Sequence, residues 1–582
     1  MTYAAPLADI RFTLNAVAGL SGEAGELADQ ILGEAGKFAE SELAPLNQPA
    51  DRIGSILENG MVRTPPGFRE AYRRFVDGGW MGLSSGPEYG GQGLPWALAA
   101  PVIEMWNSAC MGWALCPLLN YGATALLEAH GSPEQKRLYL TKLVSGEWAG
   151  TMNLTEPQAG SDLGALRSRA VPANDEKWGE HYRISGQKIF ISYGDHDLTD
   201  NIIHMVLART PDAPPGSRGI SLFLVPKFLP DESGNPGPRN DLRTLRLEEK
   251  LGIHASPTCV MSYGDGEGAI GWRIGEENRG LEAMFTMMNS ERLLVGVQGV
   301  AIAERAYQQA LDYARTRVQG HPVGMPRTGA TTPIIHHPDV RRMLLSMRAQ
   351  TEAARALAYY GAAAIDRAQA ETDRDARFRA ERHADLLIPV VKAWCTDVGV
   401  MVASTGVQVH GGMGYIEETG AAQHLRDARI APIYEGTNGI QANDLVGRKL
   451  GRDQGEAARA FFAEIAATLP GLDGELASVR ARLAEGLAAL ERATAVLLAA
   501  EPAAAAAGSV PYLALFGTVT GGWLMARIAG AAQARRAADP RFAAAKLATA
   551  RFYADHILAQ APGYLPAIET SASVAEFDPD LL

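Results

Sequence analysis

Cysteine is scarce in this sequence, and the cysteines present form no metal-binding or disulfide pattern. Only four occur among the 582 residues, and no Cys-x-x-Cys pair is present; they are Cys110, Cys116, Cys259 and Cys395. Small disulfide-bonded scaffolds and zinc ribbons both depend on several closely spaced cysteines. Neither class is therefore expected.

Positive charge is also scarce relative to negative charge. Lysine and arginine total 54 against 66 aspartates and glutamates, which gives a formal net charge of −12. Proteins that bind nucleic acid gain most of their non-specific affinity by neutralising phosphates with basic side chains. We therefore expect no nucleic-acid partner.

The sequence lacks a recognisable secretory signal, although it contains one long uncharged stretch. The opening residues Met1–Asp9 have no basic segment followed by an apolar one. The range Pro502–Ala526 is long enough to span a bilayer, but alanine and glycine are abundant in it and Pro511 interrupts it. Such residues add little transfer free energy, and proline and glycine disfavour helix. We predict a cytoplasmic protein in which this stretch forms a buried helix pair packed through small residues, without membrane contact.

Common phosphate-binding and metal-binding motifs are absent or occur in an unsuitable context. No Gly-x-x-x-x-Gly-Lys-[Ser/Thr] is present, and the nucleophile-elbow pattern at Gly82–Gly86 follows a helical stretch where a strand is required. The run Gly266–Gly271 matches Gly-x-Gly-x-x-Gly but opens no helix, so it is predicted to be a loop. The adjacent His336 and His337 favour a helix start over a metal site. No metal is expected.

The spacing of apolar residues predicts helices, then strands, then helices again. The chain is 47% hydrophobic and long enough for three or four domains. No regular alternation of strands and helices appears, which disfavours a doubly wound sheet. We predict a mainly α, α+β protein with an N-terminal helical domain (1–150), a middle antiparallel β domain (151–279), a C-terminal helical bundle with a catalytic loop (280–451) and an additional Ala-rich helical domain (452–582).

Two segments far apart in the chain carry residues suited to chemistry. Thr151–Ala165 concentrates small residues around Ser161, and its amides and hydroxyls can hydrogen-bond a polar ring or a phosphate. Arg426–Gln441 places Glu435 between apolar residues and a tight glycine turn. Apolar surroundings raise the pKa of a carboxyl, which suits a general base acting on a weak carbon acid.

Together with several other motifs, these segments resemble the acyl-CoA dehydrogenase family, flavoproteins that oxidise acyl-CoA thioesters to trans-2-enoyl-CoA. The resemblance extends from Gly78 to Gly451 and keeps the family's order of motifs. The matching motifs are Gly79–Leu83, Glu88–Gly91, Leu154–Asp162, Gly186–Ser192, Lys250–Ile253, Glu291-Arg292 with Arg317, and Tyr434–Thr437. Several separate motifs in one order are specific, whereas each alone is weak. The predicted order of helices, sheet and helices is also that of the family.

The resemblance implies a catalytic base and a substrate channel. Glu435 would remove the α-proton while the β-hydrogen leaves as hydride to the flavin, and Arg292 would face the channel for the CoA thioester. The backbone amide of Glu435 and a ribityl hydroxyl would bind the thioester oxygen. Some family members carry the base on the long helix, where this sequence has Glu291; the structural alternative for that residue is an ion pair with Arg292 or Arg341. We favour Glu435, because the Tyr-Glu-Gly-Thr loop around it is intact.

The resemblance also implies an FAD cofactor held at a subunit interface. Arg317 would cross the interface to the pyrophosphate of an FAD that the neighbouring subunit mainly holds. Three residues would meet the adenosine end of that FAD: Gln408, Gly411 and Gly412. The residues implied at or near the flavin of the same chain are Thr155, Ser161, Phe190, Ser192 and Thr437.

Four positions depart from the family pattern. Phe190 stands where tryptophan is usual, which keeps an apolar shield for the flavin but removes an indole N–H. His254 replaces a common arginine, Gly320 a common phenylalanine, and Asn153 a small residue. None of these changes removes a reacting group, but His254 and Gly320 alter the expected contacts to FAD and between subunits.

Two features narrow the resemblance to large bacterial acyl-CoA dehydrogenases, a group that includes 3-(methylthio)propionyl-CoA dehydrogenase. They are the insertion Val225–Lys250 and the helical tail after Gly451. Relatives with such a tail are often homodimers, because the tail covers the surface through which shorter members form tetramers. We therefore expect a homodimer that acts on 3-(methylthio)propionyl-CoA or another short- or medium-chain acyl-CoA. A pocket narrowed by Trp106 and Trp113 would favour such substrates.

Two alternatives from other functional classes remain. One is a non-catalytic flavoprotein scaffold, since the family includes a DNA-binding branch; the retained Glu435 and the negative net charge weigh against it. The other is an acyl-CoA oxidase, which performs the same half-reaction but uses O₂. The leading expectation is a dehydrogenase that passes its electrons to electron-transferring flavoprotein.

Overall fold

The computed structural model describes residues 3–20, 22–231, 233–324 and 331–582, and it is mainly helical. The α-helices of seven or more residues are Leu7–Thr13, Gly22–Phe38, Asn47–Ile53, Phe68–Asp77, Trp96–His130, Gly280–Thr316, Pro338–Ala370, Arg374–His410, Ala421–Ala428, Glu456–Thr468, Ala477–Ala499, Ser509–Ala534 and Pro540–His556. The shorter ones are Pro133–Gln135, Thr141–Ser145, Asn438–Asn443, Pro502–Ala507, Leu565–Glu569 and Ser571–Ala575. Their positions confirm the predicted helix, sheet, helix order and the extra helical segment at the end.

Twelve strands are present in the described part of the chain. They are β1 (Ile56–Glu58), β2 (Met61–Arg63), β3 (Trp148–Asn153), β4 (Arg169–Asp175), β5 (Gly179–Ser192), β6 (Asn201–Ala208), β7 (Ser221–Pro226), β8 (Phe228–Pro230), β9 (Pro236–Arg239), β10 (Leu242–Leu247), β11 (Thr258–Tyr263) and β12 (Ala269–Ile274). Eight of them form one sheet in the order β10-β11-β5-β12-β7-β6-β3, with β4 beside β5. The pairs β1–β2 and β8–β9 are separate two-stranded ribbons.

The sheet is antiparallel, as predicted, except at one edge. Strand β3 pairs with β6 in parallel, with Trp148 opposite Asn201. A parallel pair needs a long crossover connection, and the chain between β3 and β6 supplies one by forming β4 and β5 first. The predicted loop Gly266–Gly271 also differs in part, because β12 already begins at Ala269.

Strands β6, β7 and β11 are buried on both faces of the sheet, because every residue in them is buried. Successive side chains of a strand point to opposite faces, so Met205 and Leu207 join one apolar cluster while Val206 and Ala208 join the other. Helices and loops therefore cover these strands on both sides.

Two compact units are distinguished within the chain. The first comprises Met1–Lys37, Pro95–Ser108 and Arg292–Leu582, and the second Phe38–Leu94 with Ala109–Glu291. The eight-stranded sheet lies entirely in the second unit. The domain boundaries given above remain a prediction.

In the first unit, the uncharged stretch near the C-terminus folds as the helices Pro502–Ala507 and Ser509–Ala534. Its glycines allow close packing, since a Cβ on Gly517 would lie 2.2 Å from the ring of Trp394. By length and composition, Trp96–His130, Arg374–Tyr415 and Ser509–Ala534 could each cross a membrane, but at least 83% of the most apolar window of each is buried in the protein. The expected burial and packing through small residues are observed.

A buried ionic cluster joins the C-terminal segment to earlier parts of the first unit. Arg355 binds Glu104 and Glu304 at 2.6 and 2.7 Å. Lys546, on the helix Pro540–His556, pairs with Asp9 and lies 3.1 Å from Glu352. The segment after Gly451 thereby contributes a charged side chain to the interior of this unit.

Candidate active site

The candidate base Glu435 occupies a tight turn whose backbone is in the left-handed region. Its φ is 58°, and that of Gly436 is 83°. A side chain at position 436 would make a steric clash, because a Cβ there would lie 2.7 Å from the side-chain amide nitrogen of Gln441. Thr437 ends the turn by accepting a hydrogen bond from the backbone N–H of Ile440 at 3.2 Å, which caps the helix Asn438–Asn443.

Three side chains hold the carbonyl groups of this turn. The Nε of Arg292 donates to the carbonyl oxygen of Glu435 at 3.4 Å. The side-chain amide of Gln441 donates to the carbonyls of both Glu435 and Gly436 at 3.2 Å. Lys392 donates to the carbonyl of Gly436 at 2.8 Å. Because peptide units are planar, fixing these two carbonyls restricts the backbone that presents the carboxylate.

Two cationic side chains interact electrostatically with Glu435. Arg292 is 4% exposed and lies 3.6 Å from Asp444. Burial lowers the pKa of Arg292, while the charges of Asp444 and Glu435 raise it. Burial likewise lowers the pKa of Lys392, to about 7, and the charge of Glu435 again opposes the shift. As a residue Glu435 is half-buried, and its charge interacts with both buried cations.

The approach to the turn is fixed by a chain of polar contacts. The hydroxyl of Tyr434 hydrogen-bonds the side chain of Gln298. The amide of Gln298 in turn donates to the side chain of Asn107 at 3.1 Å. These contacts are long-range in sequence, and Gln298, Gln441 and Lys392 were not identified from the sequence. For Lys392 a signal exists: it is the only charged residue in the apolar run Leu386–Cys395.

The alternative base Glu291 belongs to the other compact unit and is fully buried. Its carboxylate lies so close to Gly122 that a Cβ at that glycine would be 2.7 Å from Oε1. The predicted partners of Glu291 have contacts of their own: Arg292 lies near Asp444, and Arg341 donates to the carbonyl of His336 at 2.9 Å.

A bulge near the end of β5, in the unit that contains the sheet, turns the backbone at the candidate flavin-facing residues. Phe190 has φ 61° and is 60% exposed, so a bulky apolar ring projects from a left-handed backbone. The carbonyl of Thr155 accepts a hydrogen bond from the N–H of Ile189 at 2.9 Å. The carbonyl of Ser192 accepts one from the hydroxyl of Thr151 at 2.8 Å. These bonds bring the predicted residues Thr155, Phe190 and Ser192 together near the C-terminal end of β5.

A buried ion pair supports this turn. Glu156 is 3% exposed and accepts a hydrogen bond from Lys188 at 2.8 Å, while Lys188 also donates to the carbonyl of Leu154 at 2.9 Å. The backbone amides of Arg167 and Ser168 donate to the same carboxylate at 2.6 and 3.0 Å. Burial opposes ionisation of Glu156, but the charge of Lys188 and these hydrogen bonds outweigh it and lower its pKa to about 2. The sequence did not predict this ion pair, although Glu156 lies inside the Leu154–Asp162 motif.

Ser161 is exposed on the loop that follows Thr155. The next residue, Asp162, accepts a hydrogen bond from the N–H of Gly164 at 2.9 Å and caps a short 3₁₀ turn. A Cβ at Gly160 would meet nothing within 4 Å, so there is open space beside the loop. The Ser161 hydroxyl is therefore accessible to a ligand.

The residues implied at the adenosine end of the cofactor lie on an exposed part of the first unit. Gln408, Gly411 and Gly412 are exposed at the end of the helix Arg374–His410. Gly411 has φ 61°, and a Cβ at either glycine would meet nothing within 4 Å. Arg317 is exposed just beyond the helix Gly280–Thr316. These side chains and glycines are all accessible from outside the unit.

The positions that depart from the family pattern have local roles. Asn153 accepts a hydrogen bond from the hydroxyl of Tyr263 at 2.7 Å and lies 3.3 Å from the ring of His204, all three buried. His254 lies 2.9 Å from the carbonyl of Lys250 and 3.2 Å from the carboxylate of Asp51. Gly320 is exposed with φ 66°.

Trp113 lies in the hydrophobic core, which is the alternative to a pocket wall for an apolar ring on a helix. Its ring is fully buried against Phe38, Tyr72 and Phe75, and its indole N–H donates to the carbonyl of Phe68 at 3.1 Å. An aromatic cluster of this kind is an ordinary hydrophobic core. The sequence could not distinguish this arrangement from a pocket wall, because both require an apolar ring on a helix.

Four family models match almost the whole chain in sequence order. They describe the N-terminal domain (26–147), the middle domain (151–265) and the C-terminal domain (278–450) of acyl-CoA dehydrogenases. The fourth, described as acetyl-CoA dehydrogenase C-terminal like, matches 461–578.

Individual proteins agree with these matches. The 3-methylmercaptopropionyl-CoA dehydrogenase of Ruegeria pomeroyi is 51% identical, covering 96% of this chain and 97% of its own. An acyl-CoA dehydrogenase from Bacillus anthracis, solved in complex with FAD, superposes with a TM-score of 0.74 at 21% identity, covering 98% of this chain and 92% of its own. A chain in a structure described as the electron transferring flavoprotein of Acidaminococcus fermentans gives a TM-score of 0.61 at 26% identity, over 75% of this chain and 99% of its own.

Proposed function

The chain belongs to the acyl-CoA dehydrogenase family, and we propose that it oxidises a short- or medium-chain acyl-CoA to the trans-2-enoyl-CoA with Glu435 as the base. The observation that carries the assignment of the base is the Glu435 turn. A half-buried glutamate is presented on a constrained left-handed backbone, next to two buried cations. Cations stabilise the ionised form of a carboxyl, so Glu435 is held ready to accept a proton.

In this mechanism the protein's own groups bind, orient and remove a proton. Glu435 takes the proton from the carbon next to the thioester carbonyl. Its backbone N–H would bind the carbonyl oxygen, where negative charge develops as that proton leaves. Arg292 and Gln441 keep the turn in place by holding the carbonyl of Glu435. When bound, FAD accepts the hydride that leaves the neighbouring carbon.

The exposed ring and polar side chains of the candidate site fit an FAD cofactor. Phe190 offers an exposed apolar ring beside the half-buried Thr155 and Ser192, which suits a flat ring system with polar edges. Ser161 lies next to open space at Gly160. In the unit with the sheet, the residues that would hold the cofactor are Thr155, Ser161, Phe190 and Ser192. In the helical unit, the family resemblance implies an FAD contact for Thr437, and it implies contacts with the FAD of a second subunit for Arg317, Gln408, Gly411 and Gly412.

The accessibility of the two carboxylates supports Glu435 over Glu291. A general base must come within hydrogen-bonding distance of the proton that it removes. Glu435 is half-buried, whereas Glu291 is fully enclosed and lies against Gly122. We assign Glu291 a structural role.

The substrate that we favour is 3-(methylthio)propionyl-CoA. It is supported by the 51% identical relative, whose name contains this acyl group and whose length is covered almost completely. Related dehydrogenases differ in the acyl chain length of their substrates. Other short- and medium-chain acyl-CoA thioesters are therefore the compounds to compare with 3-(methylthio)propionyl-CoA.

We further propose a cytoplasmic homodimer that passes its electrons to electron-transferring flavoprotein. Exposed apolar side chains next to Gly411 and Gly412 support a subunit interface; Tyr415 is 84% exposed, and Met413 and Ile416 are also exposed. Clusters of exposed apolar residues commonly mark protein–protein contacts. The likeness to a chain in a structure described as an electron transferring flavoprotein supports the partner. Sedimentation analysis of the purified protein tests the dimer.

The first experiment is the visible spectrum of the purified protein, followed by anaerobic titration with acyl-CoAs of increasing chain length and with 3-(methylthio)propionyl-CoA. We expect a flavin band that this thioester bleaches with the fewest equivalents. A flavin band that no acyl-CoA bleaches would support the scaffold alternative. Reoxidation by air as fast as by electron-transferring flavoprotein would support the oxidase. A protein that cannot be loaded with FAD would contradict the proposal.

A further inference from the structure

Lys392 is a buried charge without an obvious structural need. It lies on the helix Arg374–His410, inside the run Leu386–Cys395, whose other members are all apolar and buried. It is 0% exposed. Burying an ammonium group is unfavourable unless its N–H donors reach acceptors, and an apolar residue would cost less at such a position.

The acceptors of Lys392 belong to the catalytic turn. Its Nζ donates to the carbonyl of Gly436 at 2.8 Å and to the side-chain oxygen of Asn438 at 2.9 Å. The amide nitrogen of Asn438 donates to the carbonyl of Ala393 and to Asp397, which turns its oxygen towards the lysine. Lys392 therefore holds the carbonyl of Gly436 directly and is tied to Asn438, the first residue of the helix after the turn.

Only a few charged groups affect the pKa of Lys392. Burial lowers its pKa, the charges of Glu435 and Asp397 raise it, and that of Arg292 lowers it. The hydrogen-bond acceptors themselves are neutral, so no carboxylate in direct contact cancels the charge. In a poorly solvated site, a nearby cation lowers the pKa of a carboxyl substantially.

We propose that Lys392 is a positioning residue for the catalytic base, which holds the turn after Glu435 and sets the ionisation of the Glu435 carboxyl. This inference rests on the proposed role of Glu435. The hydrogen bond to the Gly436 carbonyl fixes the peptide between Gly436 and Thr437, and the positive charge of the protonated lysine favours the ionised form of the Glu435 carboxyl. Loss of the lysine therefore affects both the geometry and the acidity of the base.

Two substitutions separate these effects. Lys392→Gln removes the charge and keeps a donor, whereas Lys392→Met removes both with a similar volume. Lys546→Met is the matched control, because Lys546 is also 0% exposed, has a pKa lowered to about 7 by burial, and contacts Asp9 and Glu352. All three variants lose a buried ammonium group, but only two lose it at the catalytic turn.

The measurements are the pH profile of kcat and the infrared carboxyl band of Glu435, identified by difference against Glu435→Gln. We expect both Lys392 variants to move the acid limb and the infrared titration up by about one pH unit. We expect the plateau kcat to fall about 100-fold in Lys392→Met and about 10-fold in Lys392→Gln, with KM within about twofold. Lys546→Met should lower the melting temperature and leave both titrations in place.

Unshifted titrations in both Lys392 variants would overturn the inference, as would an equal shift in Lys546→Met. A KM increase with unchanged kcat would also overturn it, since it would indicate a substrate contact instead. If no acyl-CoA reduces the wild-type protein, the proposed function fails, but the infrared titration still decides whether Lys392 controls the ionisation of Glu435.

Discussion

Two turns of this protein present functional side chains in the same unusual backbone conformation. Phe190, in the unit with the sheet, has φ 61°, and Glu435, in the helical unit, has φ 58°. Non-glycine residues in the left-handed region are strained by about 1 kcal/mol or more, so surrounding contacts must maintain them. A buried charged group lies close to each: the ion pair of Glu156 with Lys188, two residues before Phe190, at the first turn, and Lys392, which donates to the carbonyl of Gly436, at the second.

The two buried charges differ in what surrounds them. Glu156 is paired with Lys188, and two backbone amides also donate to it, so its charge is neutralised where it lies. Lys392 donates to two neutral oxygens, so its charge remains available to act on Glu435. The first arrangement stabilises the backbone around it. The second can also control the ionisation of a neighbouring group.

The largest expected effect comes from removing the carboxylate at the second turn. Glu435→Gln should lower kcat by about 10²- to 10⁴-fold, the usual contribution of a general base. Anaerobic flavin bleaching by acyl-CoA measures the loss. Flavin content should stay at the wild-type level, because the backbone contacts of the turn are kept. Glu291→Gln is the control, and the assignment of the base is wrong if that variant is the inactive one.

The next effect comes from breaking the neutralised pair at the first turn. Glu156→Gln leaves Lys188 without its counter-charge and should lower the free energy of unfolding by about 3–5 kcal/mol. Urea denaturation of the holoprotein measures the change. The double variant Glu156→Gln/Lys188→Met removes both charges and should recover part of the loss. No recovery would mean that the amides of Arg167 and Ser168, and not the ion pair, carry the contribution.

The same pair predicts a pH dependence. Because the pKa of Glu156 falls from 4.5 to about 2 on folding, its ionisation stabilises the folded state above pH 4.5. That contribution is lost as the pH falls from 4.5 towards 2. The difference in stability between wild type and Glu156→Gln should therefore shrink over this interval. A constant difference down to pH 2 would contradict the assigned shift.

A smaller effect is expected from a methyl group at the second turn. Gly436→Ala places a Cβ 2.7 Å from the Gln441 amide in a residue with φ 83°. We expect a loss of about 1–2 kcal/mol in stability and a fall of about 10-fold in kcat, because the turn must shift. Thermal unfolding and steady-state kinetics measure these changes. Gly439→Ala is the control, since its Cβ would approach only the Thr437 hydroxyl, at 3.8 Å.

The smallest effect on stability is expected at Phe190. Phe190→Gly relieves the left-handed strain but adds freedom to the unfolded chain, so stability should change by less than about 1 kcal/mol. FAD should dissociate more readily, because the exposed ring no longer covers it. Fluorescence of released flavin measures this. Phe190→Ala keeps the strain and should bind FAD equally weakly at slightly lower stability.

Much of the fold follows from local sequence patterns. The apolar periodicity of 281–316, 338–370 and 376–405 matches helices that the structure extends by at most a few residues. The uncharged stretch after Pro502 forms the expected buried helices, since glycine and alanine allow close approach. The parallel pairing of β3 with β6 was not predicted, because strand spacing in sequence does not specify which edges meet.

By itself, the sequence determined the class of protein and the identity of the candidate base. The Tyr-Glu-Gly-Thr loop and the Leu-Thr-Glu-Pro run each consist of consecutive residues, so each motif can be recognised from the sequence alone. Only the tertiary structure decided what holds them. Lys392 reaches Gly436 across 44 residues of sequence, and Lys188 reaches Glu156 across 32. A buried charge is placed by the packing of its helix or strand against a distant turn, and no local pattern specifies that distance.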